Sequence, residues 1–154
     1  MKARAQITVP GRISDAEALW YDTTRWASFI DGFHHAVKGL DEWPEAGTLI
    51  WDSTAGGRGR VLERVTRYEP RVGQTVAVED ESITGHQTIA FAVRDDDRVQ
   101  VTLELSYALK QQRGGPLSPV VDAIFIRPRQ REALQRTLAR FSRELASDRR
   151  DIGP

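Results

Sequence analysis

The chain has 154 residues, enough for one domain that buries roughly two-thirds of its unfolded surface. Its 40% hydrophobic and 29% charged content is typical of a globular protein and too apolar for a disordered one, and no segment is apolar enough to span a membrane. The lack of cysteine excludes disulfides, thiolate catalysis and thiolate-bound zinc. Because residues 1–10 lack the apolar stretch of a secretory signal, we expect a cytoplasmic location.

One strand and two short helices are predicted at the start of the chain. The strand covers residues 3–9, where polar and apolar side chains alternate. Ser14, with Glu17 three residues later, predicts the N-cap and capping box of the first helix. The second short helix is predicted over residues 23–30.

Six further strands are predicted, because short runs rich in apolar residues are separated by turn-forming residues. They cover about 33–43, 47–55, 60–69, 74–81, 86–94 and 98–110. Gly85 is interpreted as the turn before the fifth of these runs. In the last run, apolar side chains from Val99 to Leu109 alternate with polar ones, which indicates one buried face and one face in water.

A long helix is predicted from Ser118 to about Ser147, with a bend near residues 125–127 caused by Pro128. Its apolar stripe has the spacing of a buried helix face and consists of Leu134, Leu138, Phe141 and Leu145. Where such a helix stands off a curved sheet, it leaves a space that suits a small apolar molecule. We expect a single domain over residues 1–147 and a frayed tail over residues 148–154.

The net charge is zero, but the charges are unevenly distributed. Residues 110–150 contain ten basic and four acidic residues, a formal charge of +6. We interpret this charge as the solvated back of an amphipathic helix that lies on an acidic sheet, so no nucleic acid partner is expected. The alternative is an interaction module that uses the basic helix face.

Several short segments resemble one known superfamily. They are Ala16-Glu17-Ala18-Leu19-Trp20, Arg25-Trp26, Asp31-Gly32-Phe33, Trp43-Pro44, Gly59-Arg60-Val61 and Tyr68-Glu69-Pro70. With the element order, they resemble the helix-grip proteins of the START, polyketide cyclase and birch-pollen-allergen superfamily, and most closely its polyketide cyclase/dehydrase branch. The resemblance covers about residues 3–147 and implies an α+β fold with a curved seven-stranded antiparallel sheet, two short helices and one long kinked C-terminal helix.

The same resemblance implies residues of an internal cavity. Aromatase/cyclases of this superfamily have an inward tryptophan, serine and arginine on one strand and an aromatic hydroxyl early in the preceding strand. Trp51 and Ser53 match the first two, and Trp26 resembles another tryptophan of that cavity. Ala55 stands in place of the arginine and Phe33 in place of the tyrosine, a departure from an arginine-anchored, tyrosine-assisted aldol cyclisation.

Two carboxylates are predicted to point inward, because Glu63 and Asp80 each share a strand face with valines. A buried carboxylate among apolar neighbours loses hydration and its pKa rises, which suits a general acid or base near neutral pH. Glu63 and Asp80 are therefore the predicted catalytic residues. The alternative is that they pair with Arg64, Arg67 or another basic group, or reach solvent.

Further side chains are predicted to contact a ligand in this cavity. Besides Trp26, alternation along the strands selects Phe33, His35, Trp51, Ser53, Gln87, Phe91 and Tyr107. Asp122, Phe125 and Arg127 lie at the expected bend and are predicted to overhang the cavity. Arg127 is a candidate cation for an enolate or carboxylate of the ligand, and the alternative is that it faces solvent.

No metal or phosphate site is predicted. His34 and His35 are adjacent in a strand, so their side chains point to opposite faces and at most one faces inward. The turn at residues 56–59 has the glycine density of a phosphate loop but lacks its Lys-Ser/Thr ending. We interpret it as a hairpin turn at the cavity entrance and a candidate lid.

We expect a protein that binds a hydrophobic small molecule, polyketide-like or aromatic, between the sheet and the C-terminal helix. One hypothesis is a cofactor-free cyclisation or dehydration, in which Glu63 or Asp80 moves protons and Ser53, Gln87 or Tyr107 polarises a carbonyl. The alternative is a non-catalytic carrier or sensor of lipids or other hydrophobic ligands. A monomer or a homodimer is expected.

Overall fold

The computed structural model describes residues 1–38, 42–110 and 127–151. Seven strands, β1 to β7, cover Lys2–Pro10, Phe33–Lys38, Thr48–Ser53, Arg60–Glu69, Gly73–Glu79, Ile83–Asp95 and Arg98–Leu109. Three helices, α1 to α3, cover Ile13–Tyr21, Trp26–Phe29 and Arg127–Asp151, and a 3-10 turn, Thr23–Arg25, precedes α2. Within these ranges, no helix has the combination of length and apolarity that crossing a bilayer requires.

The strands form one antiparallel sheet in the order β1-β7-β6-β5-β4-β3-β2. From β2 to β7 each strand pairs with the next one in sequence, and β1 lies beside β7 at the other edge. The sheet is curled, and α3 packs against β1, β7 and α2. This architecture confirms the expected α+β helix-grip fold.

The apolar stripe of α3 holds this helix onto the rest of the domain. All four predicted side chains are buried: Leu134, Leu138, Phe141 and Leu145. The ring centroid of Phe141 lies 5.4 Å from that of Phe29 and 5.6 Å from that of Trp20. Since burial of one such side chain contributes about 1.5–3 kcal/mol, the stripe is a major source of stability.

The first helix begins differently from the prediction. It starts before Ser14, and the Asp15 carboxylate accepts a hydrogen bond from the Arg12 amide at 3.2 Å, so Ser14 is not the N-cap. The expected capping partner, Glu17, is buried and accepts hydrogen bonds from the amide and the guanidinium of Arg71, in the turn between β4 and β5. Glu17 therefore fastens α1 to the sheet, a long-range role that the local pattern did not reveal.

The turn between β5 and β6 also differs from the prediction. It lies at residues 80–82, and Gly85, which was interpreted as the turn, is inside β6. A Cβ atom at Gly85 would collide with the backbone of β7 at Ser106. Glycine therefore allows two strands to approach closely at this position. A glycine in the sequence is compatible with either a turn or such a close approach, so the sequence did not distinguish them.

The C-terminal helix continues past the predicted end at residue 147. Asp148 and Glu144 accept hydrogen bonds from Arg25 at 2.6 and 2.7 Å, which join the last turns of the helix to the 3-10 turn before α2. Pro128 is the second described residue of this helix. The predicted bend near residues 125–127 and the predicted start at Ser118 are not tested, because residues 111–126 lie outside the described part of the chain.

Part of the basic face of α3 is paired with acidic groups of the domain. Arg136 donates to both carboxylate oxygens of Asp31 at 3.0 and 3.2 Å, and Arg140 donates to the same carboxylate at 3.3 Å. Asp31 follows α2, so these ion pairs tie the long helix to the short one.

Candidate functional site

A cavity of about 410 Å³ lies between the inner face of the sheet, α2 and the first turns of α3. Ligand pockets have volumes of about 300–1,000 Å³, so this cavity has the size for a small organic molecule. Its apolar wall consists of tryptophans and aliphatic side chains: Trp20, Trp26, Ile30, Trp43, Trp51, Val76, Ile89, Leu103, Leu105 and Leu134. Its polar side chains are Asp31, Ser53, Arg58, Glu63, Gln74, Asp80, Ser82, Gln87, Arg129, Gln130, Arg136 and Thr137.

Glu63 forms the polar floor of the cavity together with Trp51. The pairing of β3 with β4 sets Leu49 opposite Glu63 and Trp51 opposite Val61, so all four side chains share the inner face. The Trp51 indole nitrogen donates a hydrogen bond to Oε2 of Glu63 at 2.6 Å. Glu63 is only 4% exposed, which agrees with its predicted inward orientation.

Burial changes the acidity of Glu63. Loss of hydration raises its pKa above the ordinary value, and the Trp51 hydrogen bond and the positive charge of Arg58 oppose part of this rise. A raised pKa brings the carboxyl closer to the pH at which it both accepts and donates protons. Glu63 therefore has the environment of a general acid or base inside an apolar cavity.

Asp80 is also 4% exposed, but its carboxylate has several partners. Oδ2 accepts a hydrogen bond from Nε of Arg58 at 2.7 Å, and Oδ1 accepts from the amides of Ser82 and Ile83 at 2.8 and 2.9 Å. These hydrogen bonds fix the Asp80 side chain and stabilise the β5–β6 turn. This geometry corresponds to the alternative in which the acid pairs with a basic group.

Arg58 is the basic group, and the sequence analysis did not select it. It belongs to the glycine-rich turn between β3 and β4, and its guanidinium lies 5.7 Å from the ring centroid of Trp51. One of its terminal nitrogens, Nη2, is buried and has no hydrogen-bond partner among the described residues. Arg58 thus brings a positive charge to the cavity wall of a chain that has Ala55 in place of the arginine of the aromatase/cyclases.

A signal for Arg58 was present in the sequence. Two predicted inward carboxylates require a nearby cation, because an unpaired buried charge is unfavourable. Arg58 is the only basic residue in the turn that was predicted to edge the cavity. The alternative stated from the sequence named Arg64, Arg67 or another basic group, and the structure places Arg64 and Arg67 at exposed positions of β4.

Three of the predicted ligand contacts line the cavity beside Trp51. Ser53 lies at the end of β3, and its hydroxyl donates a weak hydrogen bond to the Thr54 carbonyl at 3.3 Å. Gln87 is half-buried on β6, and its amide makes no hydrogen bond within the described chain. Trp26 lines the opposite wall and donates from its indole nitrogen to the Trp20 carbonyl at 2.8 Å.

Three other predicted contacts belong to the packed interior instead of the cavity wall. Phe33 lies between Trp26 and Trp51, with ring centroids 6.0 and 5.3 Å apart. Phe91 and Tyr107 are buried on the inner faces of β6 and β7. The buried positions of Phe91 and Tyr107 agree with the alternation pattern, but neither these two nor Phe33 is among the residues that line the cavity.

His35 does not point into the cavity. Its side chain is 56% exposed, and Nε2 lies 3.6 Å from a carboxylate oxygen of Asp52 on the outer face of the sheet. The pairing of β2 with β3 is irregular between Phe33 and His35, and such a bulge reverses the alternation on which the prediction depended. The inward orientation predicted for His35 is therefore corrected.

The contacts predicted at the bend of the last helix are not tested by the structure. Asp122 and Phe125 lie outside the described residues. Arg127 is the first residue of α3, and its side chain is also outside the described part. In the described part of α3, the residues that line the cavity are ones that were not predicted to contact the ligand: Arg129, Gln130, Ala133, Leu134, Arg136 and Thr137.

The curled sheet, the long helix laid across it and the cavity between them define a Bet v 1-like helix-grip protein. The chain belongs to the family described as polyketide cyclase/dehydrase and lipid transport, whose model matches residues 1–146. No curated protein matches the chain. The family confirms the resemblance found in the sequence and supports a ligand-binding role.

Solved structures show the same fold at low sequence identity. A conserved protein from Geobacillus kaustophilus is 15% identical over 96% of both chains, with a TM-score of 0.73. A protein from Thermus thermophilus is also 15% identical, over 96% of this chain and 99% of its own, with the same TM-score of 0.73. Norcoclaurine synthase from Thalictrum flavum, solved with dopamine and hydroxybenzaldehyde, is 11% identical over 96% of this chain and 87% of its own, with a TM-score of 0.68.

Proposed function

We propose that this protein binds a hydrophobic small molecule, polyketide-like or aromatic, in its cavity and catalyses cyclisation or dehydration without a cofactor. The observation that carries the proposal is Glu63, a buried carboxyl with a raised pKa in the wall of a cavity lined by Trp20, Trp26, Trp43 and Trp51. The family description supports both the ligand class and the reaction class. The aromatic ligands of norcoclaurine synthase support an aromatic molecule in a cavity of this fold.

In the proposed reaction, Glu63 carries the proton. Its carboxylate removes a proton from the carbon next to a ligand carbonyl, and the resulting enolate carbon forms a bond to a second carbonyl carbon of the same molecule. Glu63 then returns the proton to the alkoxide oxygen, which leaves the enzyme unchanged. In dehydration, the carboxylate takes a proton next to the carbonyl and returns it to the departing hydroxyl, which leaves as water.

The other groups of the cavity position the ligand. Ser53 and Gln87 have hydroxyl and amide donors for carbonyl oxygens, and the tryptophans hold the molecule in a folded pose. Asp80 acts as a positioning residue, because its hydrogen bond orients Arg58 over Trp51. Asp80, which the sequence analysis predicted to move protons, thus acts indirectly by holding Arg58 in place.

A non-catalytic carrier is the second candidate function. It is favoured by the pairing of the acids in the described cavity wall: Asp80 is held by Arg58 and Asp31 by Arg136. Glu63 then acts alone, without a second carboxyl to form an acid and base pair. A carrier retains its ligand chemically unchanged.

Native mass spectrometry of the protein purified from its own host tests the proposal. A co-purifying hydrophobic molecule is the expected result, and its mass identifies the ligand class. Protein that is isolated without any bound molecule, and that takes up neither aromatic nor polyketide-like compounds on incubation, contradicts the proposal.

The identified molecule, or its unreacted precursor, then separates an enzyme from a carrier. Wild-type protein is expected to convert the precursor. Glu63→Gln should bind it without conversion, because the amide oxygen still accepts the hydrogen bond from Trp51 but the amide does not transfer a proton. Glu104→Gln is the matched control, since Glu104 lies on β7 facing solvent beside Lys2. Unchanged ligand with wild-type protein establishes the carrier, and equal turnover with both variants removes Glu63 from the mechanism.

A further inference from the structure

Arg58 has donor capacity that the protein does not use. Its Nε atom donates to Asp80 at 2.7 Å, while Nη2 is buried and has no partner among the described residues. An unpaired buried donor is unfavourable, so such a group in a cavity wall is suited to an acceptor from a ligand. The position over the Trp51 ring and the bond to Asp80 hold the guanidinium in one orientation.

The charged side chains of the cavity leave Arg58 available to an anion. The described lining contains three basic side chains, Arg58, Arg129 and Arg136, and three acidic ones, Asp31, Glu63 and Asp80. The negative charge of Asp80 is shared between Arg58 and the two amides of the β5–β6 turn, which leaves Arg58 incompletely neutralised.

Apolar surface surrounds this cation on the ligand side. Trp51 lies beneath the guanidinium, and Trp26 and Trp43 line the same cavity, with ring centroids 5.7 Å apart. A ligand that satisfies both features has an aromatic or aliphatic body and one anionic oxygen group. A hydrogen bond between the guanidinium and a carboxylate is charge-assisted, so it is stronger than one to a neutral oxygen.

We infer that the cavity selects hydrophobic carboxylic acids, whose carboxylate accepts hydrogen bonds from Nη2 of Arg58 while the apolar body lies along the tryptophan wall. This inference rests on the proposed ligand-binding function and names the class of ligand. Arg58 is then the residue that determines specificity, and Asp80 holds it in place.

Isothermal titration with 2-naphthoate and 2-naphthamide tests the inference, because the two probes share the ring system and differ in charge. We expect wild-type protein to bind 2-naphthoate at least about tenfold more tightly than 2-naphthamide. Arg58→Gln should lose this preference and still bind the amide. Arg58→Lys keeps the positive charge but lacks the planar guanidinium with its several N–H donors, so it should retain part of the preference.

Arg60→Gln is the matched control. Arg60 lies two residues away but pairs with Asp52 on the outer face, so its loss should leave both affinities unchanged. Circular dichroism checks that each variant is folded. If Arg58→Gln does not fold, the affinities for the two probes are compared in Arg58→Lys.

The outcomes separate this inference from the proposed function. Equal affinities of wild-type protein for the two probes overturn the selection of acids and leave the hydrophobic cavity supported. A preference for 2-naphthoate that persists in both Arg58 variants also overturns the inference, because another cation then binds the carboxylate. Failure of wild-type protein to bind either probe overturns the inference and counts against the proposed function.

Discussion

The two halves of the interface between α3 and the rest of the domain differ in what fills them. In the C-terminal half, Phe141 and Leu145 are buried, and Phe141 packs against the rings of Trp20 and Phe29. In the N-terminal half, the helix presents Gln130, Ala133 and other small or polar side chains to the cavity. One helix on one sheet is therefore packed closely at one end and lines a cavity at the other.

The largest effect is expected from removing the packed end. Phe141→Ala should lower the free energy of unfolding by about 3–5 kcal/mol, because the ring is fully buried and its loss leaves a cavity. Urea denaturation measures this change. Arg143→Ala, at an exposed site on the same helix, is the control and should change stability by less than about 0.5 kcal/mol. A comparably small loss for Phe141→Ala would show that the packed end does not carry the stability of the helix.

An intermediate effect is expected from filling the hollow end. Ala133→Phe places an aromatic ring in the cavity and should weaken binding of a hydrophobic probe by at least about tenfold, with little loss of stability. Titration with 2-naphthoate, or with the co-purifying ligand, measures this loss. Ala139→Phe, at an exposed position of α3, makes the same substitution outside the cavity. Unaltered binding by Ala133→Phe would place the ligand elsewhere on the protein.

The smallest effect is expected in the pH dependence of stability. Because burial raises the pKa of Glu63, the folded state binds more protons than the unfolded state between the ordinary glutamate pKa, about 4.3, and the raised value. The stabilising contribution is complete below the ordinary pKa and is lost as the pH rises through the raised one. Wild-type protein should therefore lose stability relative to Glu63→Gln across this window, by at most about 1.4 kcal/mol per pH unit.

Urea denaturation of both proteins from about pH 4 to pH 8 gives the difference curve. Glu104→Gln controls for the loss of a carboxylate on the outer face of the sheet. A flat difference between wild-type protein and Glu63→Gln would mean that Glu63 titrates as an ordinary carboxyl, and it would remove the main support for proton transfer.

Much of the inner face of the sheet was predictable from the sequence. Trp51, Ser53, Glu63, Asp80 and Gln87 line the cavity as alternation indicated. Counting by two works wherever the strand pairing is regular, because successive side chains point to opposite faces. The same counting was wrong at His35, where an irregular pairing after Phe33 reverses the alternation.

The sequence by itself determined the order of the elements, the buried stripe of α3 and the inward direction of Glu63. These features follow from local periodicity, which each segment carries on its own. Tertiary structure alone decided that Arg58 is the partner of Asp80, that Glu17 binds Arg71 and that the cavity lies opposite the first turns of α3. Such contacts join residues far apart along the chain, so they depend on how the sheet curls around the helix, which no local pattern encodes.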